Sequence, residues 1–97
     1  MRCELILSPE AVDDLRRLHA GLRAAVREAL ERHLRHELTK LSKSRIKRLR
    51  GISRPQYRLR VDEVRVYYDV TEGQVGILAV VLKAEMDDWL RGNGGEL

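Results

Sequence analysis

Arg58, Arg60 and Arg65 are the residues whose type and spacing point most directly at chemistry. Tyr57-Arg58-Leu59-Arg60-Val61 and Val64-Arg65-Val66-Tyr67-Tyr68-Asp69-Val70 both alternate apolar and polar residues, the period of a β-strand. Asp62-Glu63 between them is the turn of a hairpin. Pairing Val61 with Val64 sets Arg60 across from Arg65, and Arg58 across from Tyr67. Like charges directly opposed on a ladder destabilise it. A sheet that carries them either splays both guanidinium groups into water or holds them for an anion. The guanidinium fork can bind two phosphate oxygens at once, and it can stabilise the extra charge of a pentacoordinate phosphoryl transition state. Tyr67 on the same face offers a ring for base stacking. Tyr57, Leu59, Val61, Val64, Val66, Tyr68 and Val70 belong to the opposite, core-facing side.

Charge is distributed unevenly around this hairpin. Residues 40–61 hold nine Lys/Arg and no acid, whereas residues 62–97 hold three Lys/Arg and eight Asp/Glu. A basic loop, Lys40, Lys43, Arg45, Lys47, Arg48 and Arg50, ends at Gly51 just before the first strand of the hairpin. The net charge of +4 is therefore concentrated in one stretch, which is the expected polyanion-facing surface.

Other chemistries find little support. His33 and His36 could form an i, i+3 metal pair, but no third ligand accompanies them, so no metal or other cofactor is expected. Ser42, Ser44 and Ser53 lack a recognisable base partner. No glycine-rich loop has phosphate-cradling spacing. Cys3 stands alone and cannot form an internal disulfide. There is no apolar run long enough to span a bilayer, and Glu4 and Ser8-Pro9-Glu10 break up any secretory h-region. A cytoplasmic protein with no membrane partner is the expectation.

The elements that must position the arginines follow from the remaining patterns. Arg2 to Leu7 reads as a strand. Ser8 suits an N-cap and Pro9 the first helical position, with Ala11, Val12, Leu15 and Leu18 as the apolar stripe. His19 is expected to cap the C-terminus of this helix, and Gly21 to mark a turn or kink. A second helix is expected from about Leu22 to Leu38. Thr71-Glu72-Gly73-Gln74 is a turn. Val75 to Leu82 is apolar throughout, as in a strand buried on both faces. A short helix from Lys83 turns Met86, Trp89 and Leu90 inward, and residues 92–97 form a frayed tail. The expected fold is one α+β domain over residues 1–97. An N-terminal strand, a helical hairpin, a three-stranded antiparallel meander joining one sheet and a short C-terminal helix make it up, with the helices on one face.

In this order and at this length, the chain resembles the RelE/ParE superfamily of type II toxin–antitoxin toxins. Leu49-Arg50-Gly51, Tyr57-Arg58-Leu59-Arg60, Val64 to Val70, Ile77 to Val81 and Lys83 to Leu90 carry the resemblance. In its RelE branch it implies a ribosome-dependent endoribonuclease that needs no metal and cuts mRNA by attack of the 2′-hydroxyl on the adjacent phosphate. By position, Arg58 and Arg60 match two basic strand residues, Arg65 a phosphate-steadying arginine, and Lys83 a basic residue ending the last strand. The basic loop and Tyr67 would then contact RNA. A cognate antitoxin, the ribosome and mRNA are the implied partners. Two positions depart from the pattern, Ala84 where an arginine is usual and Leu90 where a tyrosine is. Arginine hardly deprotonates, so cleavage would rest on electrostatics and positioning, or draw on Tyr67 or a loop lysine. The alternatives are a ParE-like poison of DNA gyrase and a non-catalytic RNA- or protein-binding module.

Overall fold

Alternating strands and short turns dictate a single sheet, and that is what forms. The structure is a computed structural model and describes residues 4–34, 46–51 and 54–93. Five strands, β1 (Glu4–Leu7), β2 (Ile46–Arg48), β3 (Tyr57–Val61), β4 (Val64–Thr71) and β5 (Gln74–Leu82), lie in the order β1-β5-β4-β3-β2. β1 runs parallel to β5, and the other neighbours are antiparallel. Helices α1 (Pro9–Arg17) and α2 (Ala20–Ala29) follow β1, and α2 continues as a wide π turn over Leu30–Leu34. A 3-10 turn at Lys83–Glu85 leads into α3 (Met86–Asn93). None of the described helices is long and apolar enough to cross a membrane.

The β3–β4 hairpin has the expected register, with Val61 opposite Val64, Arg60 opposite Arg65 and Arg58 opposite Tyr67. Its two-residue turn demands positive φ, which Asp62 supplies at 51°; a short polar side chain tolerates that region. Along β5 the pairing shifts by one residue. Tyr67 faces Ala79 but Tyr68 faces Ile77, so Leu78 is an extra, bulged residue. The bulge lets Val75, Ile77 and Val80 all join one core although their numbers differ in parity. That core also holds Ala11, Leu15, Val26, Leu30 and Leu34 from the helices and Leu59, Val64, Val66 and Tyr68 from the sheet.

β1 ends at Leu7, which leaves one side of β5, the side opposite β4, without a strand neighbour beyond Ile77. Polar groups on α1 and its cap fill the gap. Ser8 caps α1 by accepting from the Ala11 N–H at 3.1 Å, and its hydroxyl donates to the Leu78 carbonyl at 3.0 Å. Asp14 Oδ2 accepts from the Val80 N–H at 3.0 Å. Buried backbone donors need such partners, so these contacts fix where α1 lies.

Four expectations need correction. His19 is the N-cap of α2, its Nδ1 accepting from the Leu22 N–H at 3.2 Å, because α1 stops at Arg17 and Leu18 is already extended. Gly21 lies inside the first turn of α2 and makes no break there. Part of the basic loop is a strand, β2, pairing with β3. The helices also do not all lie on one face, since α3 covers the other side of the sheet through Trp89. The expected end of the second helix, residues 35–38, falls outside the described residues, as do Cys3, His36 and the three serines.

Tyr68 is fully buried beside Tyr57, ring centroids 5.3 Å apart, and its hydroxyl has no hydrogen-bond partner among the described residues. An unmet buried hydroxyl costs about 1–3 kcal/mol. Tyr68→Phe is therefore expected to be neutral or to stabilise the fold by about 1 kcal/mol, read from a denaturant midpoint. Burial also pushes the Tyr68 and Tyr67 phenols above the ordinary tyrosine value. The fold then binds these protons more tightly than the unfolded chain does. The contribution of these phenols to stability should be constant below about pH 10, the unfolded value, and be lost above it, so that stability falls less steeply there in Tyr68→Phe.

Candidate functional site

Directly opposed residues on paired strands project to the same face. The pairings Lys47 with Arg58, Arg58 with Tyr67 and Tyr67 with Ala79 therefore make one row on the face away from α1 and α2. Arg60, Arg65 and Val81 make the next. Four cations thus share one sheet face, and Lys83 follows at the end of β5. Among the described residues, none of Lys47, Arg58, Arg60, Arg65 and Lys83 is held in an ion pair.

Arg60, Arg65 and Lys83 meet at a cleft of about 440 Å³ at the hairpin tip, also lined by Val61, Asp62, Glu63 and Ala29. The Lys83 N–H donates to the Glu63 carbonyl at 2.7 Å, which fastens the end of β5 to the turn. Of the two arrangements open to it, Arg65 is not splayed into water; it is only 6% exposed. Its Nη1 donates to the carbonyls of Asp62 at 2.9 Å and Val64 at 3.1 Å, while its Nε has no acceptor. The guanidinium has folded back over its own turn and is held in one orientation. Burial, then the charges of Arg58 and Arg60, push its pKa below the ordinary guanidinium value, with a smaller opposing pull from Tyr67. A bound anion would relieve the repulsion among the three arginines.

Tyr67 lies on the arginine face, as its alternation places it, but it is covered there. The ring is 1% exposed because Trp89 stacks on it, centroids 4.7 Å apart and planes 12° from parallel. Burial raises its phenol, opposed by the nearby Arg58 and Arg65. Arg58, half-buried, has its own Nε without an acceptor.

The other basic residues do not gather into one site. Lys47 is exposed on the arginine face, but Arg48 projects to the helix side with its guanidinium 5.0 Å from the centre of the Tyr57 ring. Arg50 is exposed beside Gly51, whose φ is 82°. Lys40, Lys43 and Arg45 lie outside the described residues. Two further clefts differ in kind. One of about 530 Å³ is lined by the carboxylates of Asp14, Glu85 and Asp88, together with Arg17 and Trp89. The other, about 420 Å³, has an apolar floor of Leu5, Leu7, Val12, Leu15 and Leu30, with Arg16, Arg23, Arg27 and Glu31 also lining it. Among the described residues, no group of three or more His, Cys, Asp or Glu could hold a metal. Ala84 is exposed on the 3-10 turn and Leu90 half-buried on α3, so neither brings a polar group to the cleft.

One functional support was not foreseen. Asp69 accepts from Arg54 Nε at 2.8 Å and from the Gln56 N–H at 2.7 Å, and Gln56 Oε1 accepts from the Val70 N–H at 2.8 Å. This clamp fixes the entry of β3, and hence Arg58. Its only sequence signal was a lone acid within the two strands of the hairpin, whose other charged strand residues are arginines.

The fold is shared with solved structures. A chain of the RelB-RelE antitoxin-toxin complex from Methanococcus jannaschii superposes with a TM-score of 0.63 at 18% identity, covering 87% of this chain and 96% of that one. The YoeB dimer from Staphylococcus aureus gives 0.58 at 18% identity, covering 81% and 94%. No curated protein sequence matches the chain. The family model described as the ParE toxin of the type II toxin-antitoxin system, parDE, matches residues 5–87. That match runs from β1 through the arginine hairpin into α3, and the chain belongs to this ParE toxin family within the RelE/ParE superfamily.

Proposed function

We propose that the chain is a toxin that stops translation by cutting messenger RNA on the ribosome, and that a cognate antitoxin neutralises it. The observation that carries this is the convergence of Arg60, Arg65 and Lys83 on one cleft without a countercharge from an ion pair. A phosphate placed there meets a guanidinium already oriented by two carbonyls, so little reorganisation remains for the transition state. In this account Arg65 steadies the scissile phosphate, Arg58 and Arg60 orient the strand, and Lys83 offsets charge on the leaving side. Lys47 and Arg50, with Lys40, Lys43 and Arg45, guide the RNA backbone, whereas Arg48 faces the helix side and takes no part. The reaction these groups suit is attack of the 2′-hydroxyl on the adjacent phosphate, which breaks the P–O5′ bond and leaves a 2′,3′-cyclic phosphate on one fragment and, once the departing oxygen takes up a proton, a 5′-hydroxyl on the other. Arginine cannot take the hydroxyl proton at neutral pH, and Asp62 and Glu63 are the carboxylates at the cleft that can.

The antitoxin would present acidic residues to the arginine face and an apolar stripe to the groove flanked by Arg16, Arg23 and Arg27. Such a segment folds as it binds, and its association should weaken with salt.

A second reading, poisoning of DNA gyrase through a protein interface, is favoured by Ala84 and Leu90, which bring no proton-transfer group. Pulse labelling after induction in a growing bacterium separates the two. The nuclease account expects amino-acid incorporation to stop first, with the chromosome intact. A DNA-damage response preceding any loss of protein synthesis would establish the gyrase reading instead.

A further inference from the structure

Tyr67 sits at the centre of the cation-bearing face, directly across from Arg58 and one row from Arg65. Both arginines act on its phenol electrostatically, and the Nε of each is buried without an acceptor. Two unmet guanidinium donors flanking an aromatic ring are the parts of a single-stranded nucleotide site, in which the phosphate takes the donors and the base takes the ring. The ring is already taken. The Trp89 indole lies parallel to it at 4.7 Å, a spacing and tilt that a stacked base would adopt. Trp89 comes from α3, whose residues lie outside the main core cluster.

We propose that the outer face of Tyr67 is a nucleobase-stacking subsite held shut by Trp89, which single-stranded RNA opens by exchanging a base for the indole. The inference rests on the RNA-directed reading above and adds to it the ligand class at Tyr67 and a self-inhibitory contact. α3 then acts as a plug whose removal is part of binding. The apparent affinity for RNA is lowered by the fraction of molecules in which the plug is in place.

Trp89 is the only tryptophan in the chain, so its emission reports the stack directly. The purified full chain would be titrated with a single-stranded hexauridylate and with an abasic strand of the same length and charge. Binding would be followed separately by anisotropy of a label on each strand. The expected result is a red-shifted, more quencher-accessible emission with hexauridylate and none with the abasic strand. Trp89→Ala should bind hexauridylate roughly five- to tenfold more tightly, the equilibrium worth of one aromatic stack, and the abasic strand no differently. Binding of both strands with unchanged emission, or equal affinities in Trp89→Ala, would overturn the subsite and leave the phosphate-binding face standing. Absence of binding by either strand would overturn this inference alone, because cleavage on the ribosome does not require affinity for free RNA and is tested separately on translated message.

Discussion

Arg65→Ala is expected to abolish growth arrest while leaving a folded protein. One preorganised donor aimed at transition-state charge is worth about 10²–10³ in rate, and Arg65 is the cleft cation held by two backbone carbonyls. The effect on stability should be much smaller, because two contributions oppose. The substitution forfeits two hydrogen bonds, each worth about 1 kcal/mol net. It also removes a desolvated charge that Arg58 and Arg60 repel. The balance is expected to fall within about 1 kcal/mol of the parent, measured by thermal melting alongside arrest of growth. Arg65→Lys keeps the charge but loses the fork, and should retain partial activity. Full arrest by a folded Arg65→Ala protein would remove this residue from the site.

The second large effect is structural. Asp69→Ala should cost about 2–3 kcal/mol, the usual worth of a charge-assisted bond to a partly buried donor plus a small exposed ion pair. It strands the Gln56 N–H and frees Arg54 together. Asp69→Asn keeps an acceptor for Gln56 and loses only the charge facing Arg54, so its cost should stay below about 1 kcal/mol. Denaturant melts of the two variants separate the hydrogen bond from the ion pair. Equal losses in both would mean that the ion pair carries the clamp.

What could be read from the residues, and what could not, divides along physical lines. The β3–β4 register was legible because a period of two and a two-residue turn leave no freedom once one face is apolar. Alternation says which residues share a face, but not whether that face is covered, so the burial of Arg65 and Tyr67 was not legible in it. A signal of the cover did exist. Val75 to Leu82 is apolar at nearly every position, and a strand of that kind needs packing on both sides. Trp89 was correctly turned inward on α3; missing was the side of the sheet against which α3 would pack. His19 was misassigned because a histidine can serve either end of a helix, by charge at the C-terminus or by a ring nitrogen at the N-cap. The clamp at Asp69 joins residues 13 to 15 positions apart across a loop, and no local pattern encodes that.

The central claim is cleavage of translated message. It is tested most directly by primer extension on a defined mRNA after induction, with the same message carrying a disabled start site in parallel. The account predicts breaks within codons on the translated copy, none on the untranslated copy, and none on either with Arg65→Ala. Growth arrest with intact translated message would contradict it.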